Sequence, residues 1–429
     1  MIKFIIIGIL WEGEMEIGEG YTTYSTQNSM VIDEDNVLHA VWFHYIGSGA
    51  RYRVIYGKFK EGKWEIKDIS YPYTTFCAHP TLTIVEEKLY CVWNHGWDYS
   101  QLLIRKLENK EWEDTVGTVV SDKKYVFQPT MINDGENVHV VWVEGFKIKY
   151  KTLEKGEKWS KEEMISKEER YAILPIIKER KEKIYVCWAE FGGGIYLREK
   201  EGKKWKGIVK IGDGGVYSHM YVDERNEVHV VWEKLEKGKY KILYTSYKEG
   251  KVSPPIVIVD SPKDARFPNI IGRGRELYLV WCDNRDGVWE IYFKEYENEW
   301  KEEKRITFDN YNSYHPKITI NENGIYLLFW EKKEEGRRIC FKWGEFEKRR
   351  RRRKTDWVVR YIKGGVEVNL GEEKEITIYD AIGRVVTSFN LRNGRGVWDC
   401  RNMRGEKVSG GIYFLRTKRR GVKKIYILK

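Results

Sequence analysis

The chain has 429 residues, of which 41% are hydrophobic, 33% charged and 14% aromatic, a composition that supplies a large core and excludes a disordered chain. Its net charge of +11 is uneven: residues 348–429 hold 23 Lys/Arg against 8 Asp/Glu, which leaves the first 347 mildly acidic and unlike a nucleic-acid groove. No apolar run approaches the ~18 residues of a helical membrane span, and 18 Trp and 29 Tyr beside only 9 Pro favour pleated, half-buried strands.

The first segment, Met1–Leu10, is one Lys followed by a short apolar run. A secretory signal has a longer apolar region and a small-residue cleavage site, so this segment reads as a truncated signal or as a first strand. Beyond it a strand ending in an aromatic recurs seven times, as LHAVW, LYCVW, VHVVW, IYVCW, VHVVW, LYLVW and IYLLF. The marker residues Trp42, Trp93, Trp142, Trp188, Trp232, Trp281 and Phe329 are spaced 44 to 51 residues apart. Three residues before each marker stands His or Tyr, with His39, His139 and His229 in the odd-sounding histidine slots; sharing a repeat position with Tyr marks them as structural. Thirteen before it stand Ser29, Pro80, Pro129, Pro175, His219, Pro268 and Pro316, each opening an alternating apolar stretch. A third segment follows the marker and a fourth opens on Trp64, Trp112, Trp159, Trp205 or Trp300.

Each unit is therefore four short strands joined by turn residues, and a period of about 40–50 residues in four-strand units predicts a β-propeller blade. The seventh unit lacks its fourth strand. Trp11 precedes Trp42 by 31 residues, close to the spacing of the internal fourth-strand tryptophans from the next marker. Residues around 9–18 are thus expected beside Arg337–Trp343, closing a ring that leaves no open sheet edge. The fold class expected is all-β: a seven-bladed β-propeller closed by an N-terminal strand, followed by a small Ig-like β-sandwich. The expected divisions are 1–346, a basic linker at 347–357, and 358–429.

In this architecture the loops between second and third strands, and between one unit and the next, share a face. Four histidines map to that face in three neighbouring units: His44, His79, His95 and His315. With Trp97, Asp98 and Tyr99 they form a candidate ligand-binding group, since imidazoles beside exposed aromatic rings can stack on and hydrogen-bond a sugar. Scattered rim polarity is the plainer reading of the same residues. No cofactor and no metal site is expected. The six cysteines have no CxxC or ligand spacing and read as small buried hydrophobes. Arg170, Arg266 and Arg285 are the arginines nearest the rim, and their distribution does not suggest a trio gripping a carboxylate. G-x-S-x-G, HExxH and phosphate-binding loops are absent from the sequence.

The run VWCDNRDGVWEIYFKEYENEWKEEKRIT followed by SYHPKITI resembles the BNR/sialidase-like propeller repeats of bacterial surface proteins, over about residues 9–346. Members of that family often carry an S-x-D-x-G-x-x-W box in the hairpin between third and fourth strands. Here the hairpins read EGKW, ENKEW, EKGEKW, EGKKW and ENEW, so the resemblance implies the architecture more than the enzyme.

After the run Lys348–Lys354, which reads as a solvated linker with anionic surfaces as its sharper alternative, the pattern changes to short strands separated by Gly and Asn turns. The stretch from Ile376 to Lys429 resembles the type A sorting domain of the type IX secretion system and the related Ig-like domain of flagellar-hook-capping proteins. The matching motifs are IYDAIGRV, with Tyr379, Asp380, Gly383 and Arg384; the turn from Trp398 and Asp399 to Gly405; and SGGIYFLR, with Gly410 and Tyr413. Cys400 stands where the family usually has Gly. The resemblance implies a secretion-machinery partner and a secreted or outer-surface location, with a signal peptide absent or truncated at Met1. The expected function is a non-catalytic propeller binding glycan or a surface protein, with no nucleic-acid partner and no transmembrane span. The alternative is a divergent sialidase-like glycoside hydrolase.

Overall fold

The computed structural model describes residues 9–22, 29–47, 51–72, 76–96, 99–114, 116–155, 158–308, 310–322, 324–346, 358–362, 365–369, 374–392, 395–417 and 421–427. All regular structure in them is β, and no helix long and apolar enough to cross a membrane is found among them. The chain separates into a unit spanning Gly8–Phe346 and a second containing Glu347–Lys429. The stretch 347–357 lies outside the described residues.

Among the described residues, Gly8–Phe346 holds seven antiparallel sheets, which we number 1 to 7: 30–68, 77–124, 126–164, 172–212, 216–259, 265–305, and 312–346. Ile9–Glu19 completes sheet 7 by pairing with Gly336–Phe346, Trp11 opposite Gly344, as the spacing of Trp11 led us to expect. In sheets 2 to 5 the fourth strand is interrupted, as Glu111–Trp112 and Gly117–Lys124 in sheet 2, where the repeat suggested a single strand. That strand is the outer edge of its sheet, where fewer packing contacts hold it straight.

Alternation decides which side chains meet. In the second strand of every sheet the marker points into the space between sheets, and all seven markers are at most 1% exposed. Trp93 packs on Val41, Val54 and Ile69 of sheet 1. Trp142 packs on Val92 and Leu102 of sheet 2, and the series continues through Trp188, Trp232, Trp281 and Phe329. Trp42 of sheet 1 packs on Leu328, Ile339 and Phe341 of sheet 7. Each marker thus fills the seam with the preceding sheet, with roughly 2–3 kcal/mol from burying each large side chain. First strands of successive sheets lie side by side, and Met30–Ile32 meets Asn312–Ile320, so the series closes on itself. The histidines three before the marker are structural, as expected. His39 bonds Tyr56 (2.6 Å) and Asp33 (3.1 Å), and His139 bonds Tyr150 (2.7 Å) and Asp134 (2.9 Å).

Each first strand of sheets 2 to 7 carries a bulge whose key residue has positive φ: His79 (52°), Gln128 (53°), Leu174 (53°), Tyr217 (50°), Phe267 (55°) and His315 (50°). The pairing register shifts at each of these points. This bulge corrects one alignment. His219 does not take the place of a Pro: it pairs with Val231 as Thr81 pairs with Val92 and Lys317 with Leu328, so Ser218 stands in the Pro position. Sheet 5 lacks the Pro, and sequence spacing alone placed it one residue late.

The second unit has a three-stranded sheet (Val358–Ile362, Gly365–Asn369, Arg395–Trp398) and a four-stranded one (Val385–Asn390, Glu375–Asp380, Gly411–Thr417, Gly421–Ile427). Val366, Val368, Ile376, Ile378, Trp398, Tyr413, Leu415 and Ile425 form its core.

Candidate functional site

His79, on the bulge of sheet 2, donates through Nδ1 to Asn94 Oδ1 at 2.8 Å, which fixes the proton on Nδ1. Its ring meets Phe43 of sheet 1 edge-on at 6.0 Å and Phe76 at 6.5 Å. Burial lowers its pKa to about 4, so it is neutral at physiological pH. His315, the corresponding bulge residue of sheet 7, stacks on Phe267 at 4.0 Å and lies 6.3 Å from Trp330. Burial first, then the nearby Lys317 and Arg266, lowers its pKa to about 3. His95 reaches Cys77 Sγ at 3.4 Å, and burial lowers its pKa. His44 lies 3.8 Å from Glu19. Trp97 and Asp98 lie outside the described residues; Tyr99 opens the strand Tyr99–Glu108, and only its backbone is described.

The histidines do not form a cluster of imidazoles. Aromatic rings connect them instead, and sequence reasoning missed these. Trp289 meets Tyr314 (5.9 Å), Tyr314 stacks on Trp330 (4.6 Å), Trp330 meets Tyr21 (5.2 Å), and Tyr21 stacks on Phe43 (5.4 Å). From Phe43 the contacts continue to Tyr52 (5.7 Å), and from Tyr52 to Tyr45 and Phe76 (5.2 Å each). Most of these rings are half-buried, and Tyr45 is exposed. The Arg337 guanidinium, exposed, sits 4.6 Å from the Tyr21 ring centre. The result is an aromatic arc across sheets 6, 7, 1 and 2.

Tyr21 is the joint of the arc, and the backbone explains its place. Its N–H donates to Phe43 O (2.8 Å), Phe43 N–H donates back to Tyr21 O (3.2 Å), and Gly20 N–H donates to Arg337 O (3.1 Å). The chain leaving the closing strand is thereby tied to both sheets 7 and 1. Gly20, at φ +140°, is required here: a Cβ would fall 2.6 Å from Phe43 O and 2.8 Å from Trp42 Cδ1. A sequence signal for the arc did exist. The residue after the marker is aromatic only in sheets 1 and 7, as Phe43 and Trp330, against Asn94, Val143, Ala189, Glu233 and Cys282 elsewhere.

On sheets 4 to 6 the rim chemistry differs. Glu190 and Asp283, each two residues past its marker, are buried and accept the indole N–H of Trp188 (3.2 Å) and Trp281 (3.1 Å). Glu233 is fully buried and accepts from Arg266 Nη2 (2.6 Å), Arg266 Nε (3.1 Å) and Phe267 N (2.8 Å). Arg285 is engaged by Asp283 (2.6 Å) and Glu303 (2.7 Å). Arg266 and Arg285 are thus occupied by carboxylates of the protein itself, and Arg170 is exposed. No group of three or more His, Cys, Asp or Glu side chains placed to hold a metal occurs among the described residues.

In the second unit Asp380 organises a tight turn. Its Oδ1 accepts the N–H of Ile382 (3.1 Å) and Arg384 (2.9 Å), its Oδ2 accepts Arg384 Nε (2.7 Å), and Gly383 supplies φ +83°. Tyr379 lies in the strand before this turn, beside Phe414. Trp398 is buried, donates to Arg401 O (2.8 Å) and meets Tyr413 edge-on (5.3 Å). Asp399 Oδ1 accepts Arg401 N (3.2 Å), Tyr413 OH donates to Ser409 O (2.8 Å), and Gly410 is exposed just before Gly411–Thr417.

No protein-family model and no curated protein matches the chain. Among solved structures it is similar to the polysaccharide lyase Uly1, with a TM-score of 0.53 and 12% identity over 79% of this chain and 100% of that one. The larger unit is a β-propeller. An α-L-arabinanase of Penicillium chrysogenum complexed with arabinobiose has a TM-score of 0.46 at 10% identity, over 78% of this chain and 98% of its own. PorZ, a surface component of the type-IX secretion system of Porphyromonas gingivalis, has a TM-score of 0.37 at 8% identity, over 92% of this chain and 68% of its own.

Proposed function

We propose that residues 1–346 form a seven-bladed, BNR/sialidase-like propeller that binds glycan on its rim without turning it over. We further propose that 358–429 is an Ig-like type A sorting domain, which delivers the protein through the type IX secretion machinery to the outer surface or the medium. The observation that carries the binding reading is the aromatic arc from Tyr314 through Trp330, Tyr21 and Phe43 to Tyr52. Aromatic faces with a polar handle stack on the C–H faces of sugar rings while the handle hydrogen-bonds hydroxyls. His79 and His315, held neutral, and the exposed Arg337 place donors and acceptors beside those faces. Of the seven site residues read from sequence, His44, His79, His95 and His315 belong to this proposed surface, while Trp97, Asp98 and the Tyr99 side chain lie outside what the structure describes.

The non-catalytic reading is supported by Arg266 and Arg285. A sialidase-like site needs guanidinium groups presented to a substrate carboxylate, whereas these are taken up by Glu233, Asp283 and Glu303. The experiment is a polysaccharide and glycan panel scored in parallel for binding, for reducing-end release and for the ultraviolet absorbance of unsaturated sugars. Binding without either product is expected; turnover of any member would replace this reading with the hydrolase or lyase one. For the tail, the full chain should reach the surface of a type IX-competent host, and a chain ending at residue 357 should remain in the periplasm. Equal surface display of both would remove the sorting role.

A further inference from the structure

A second group of exposed rings stands on sheets 3 and 4, beyond the end of the arc. Phe191 follows the marker Trp188 by three residues, as Tyr45 follows Trp42, and Tyr171 precedes Pro175 by four, as Phe76 precedes Pro80. The backbone repeats as well: Phe191 N–H donates to Tyr171 O at 3.0 Å, as Gly96 N–H donates to Phe76 O at 2.9 Å. One sheet earlier Gly145 N–H donates to Tyr125 O at 3.2 Å, and Ala172 N–H donates to Phe146 O at 2.8 Å, which ties sheets 3 and 4 together at the rim. Phe146 is the hub of the rings, edge-on to Tyr171 (5.6 Å) and Phe127 (6.1 Å) and tilted against Tyr125 (6.1 Å). Tyr171 is 61% exposed, Phe191 60% and Tyr125 40%. Lys147 Nζ lies 5.7 Å from the Tyr171 ring centre and donates to Arg170 O at 3.0 Å.

We propose, on the glycan reading of the rim, that these rings are a second saccharide platform. It grips a polysaccharide chain together with the arc, so the ligand is a polymer rather than a terminal sugar. Size favours a sugar over a protein as the occupant. At roughly 200 Å² per aromatic side chain, the rings of Tyr125, Tyr171 and Phe191 offer about 300 Å² between them. Each partner of a stable protein complex buries about 800 Å². A short run of sugar rings matches the smaller area, with C–H faces against the aromatic faces and hydroxyls toward the Lys147 ammonium, which has three donors. Two platforms on one unit act in tandem, because a chain held by the arc is already concentrated at sheets 3 and 4, which raises affinity for a polymer by about 10²- to 10⁴-fold.

Calorimetric titration with polymeric laminarin, arabinan and xylan, and with the trisaccharide of each, tests the platform in the full-length protein and in Tyr171→Ala/Phe191→Ala. For a polymer that the wild type binds, the double variant should lose at least about tenfold in affinity, with Tm unchanged because both rings are exposed. Its affinity for the matching trisaccharide should change less than about twofold, since the arc still holds a short ligand. Undiminished polymer affinity in Tyr171→Ala/Phe191→Ala, with binding lost in Tyr21→Ala/Trp330→Ala, overturns the second platform and leaves the arc standing. Binding of none of the three polymers by the wild type overturns the platform together with the glycan reading. Should the double variant not fold, Phe191→Ala alone decides the matter by the same comparison.

Discussion

In sheets 7 and 1 the residue after the marker is Trp330 or Phe43, and both rings lie in the aromatic arc. In sheet 5 the same position holds Glu233, which is fully buried and bound by Arg266 of sheet 6. The backbone address is the same, yet one side of the rim offers half-buried rings and the other a closed network of ion pairs. The comparison shows that the repeat fixes where a side chain stands, while the neighbouring sheet fixes what it does. On the aromatic side the neighbour is a segment from the far end of the chain, carrying Tyr21; on the charged side it is Arg266, stacked 4.1 Å from the Tyr240 ring.

Breaking the charged side should have the largest effect. Glu233→Ala leaves Arg266 partly buried without its carboxylate and exposes the Phe267 N–H to an apolar gap, at a cost of about 3–5 kcal/mol in urea unfolding. A loss under about 1 kcal/mol would mean that solvent replaces Glu233 freely.

The neutral histidines of the aromatic side give the next effect. The folded-state pKa of His79 (about 4) and of His315 (about 3) lies below the unfolded value near 6.5. Their contribution is therefore fully present above pH 6.5 and declines as pH falls toward 4, because the unfolded chain takes up protons that the folded one refuses. Unfolding free energy should fall by about 2 kcal/mol per imidazole between pH 7.5 and 5. His79→Gln should remove its share of that slope, and a slope unchanged by the substitution would show the ring to be protonated in the fold.

Sharpening the aromatic side is a smaller test. Trp330→Ala should weaken glycan binding about 10- to 100-fold with the chain still folded, since it removes the ring between Tyr314 and Tyr21. The smallest effect lies in the second unit, where Cys400 adopts φ +60°. Cys400→Gly should stabilise that unit by about 1 kcal/mol by relieving the left-handed backbone. Differential scanning calorimetry would detect it, and destabilisation would mean that the packing of the thiol against the core outweighs the strain.

Much of the β architecture was legible because the marker is a large residue at a fixed phase of a two-residue period, so its spacing survives loop variation. Trp11 was readable for the same reason, although its partner strand lies over 320 residues away. The register of His219 was not readable, because a bulge changes the phase and sheet 5 lacks the Pro that marks it. The rim was legible only as positions. Two residues past the marker, Glu190 and Asp283 look like rim acids in sequence but turn inward to the indoles of Trp188 and Trp281. One residue past it, Phe43 and Trp330 look like ordinary core aromatics until Tyr21 is brought between them by a closure that pairs opposite ends of the unit.

The glycan-binding claim is tested most directly by one isothermal titration series, in which a polysaccharide bound by the wild-type protein is titrated into Tyr21→Ala/Trp330→Ala with the charged-side variant Arg285→Lys as control. Loss of binding in the double variant and retention in the control is the predicted result. Undiminished affinity in the double variant would contradict it.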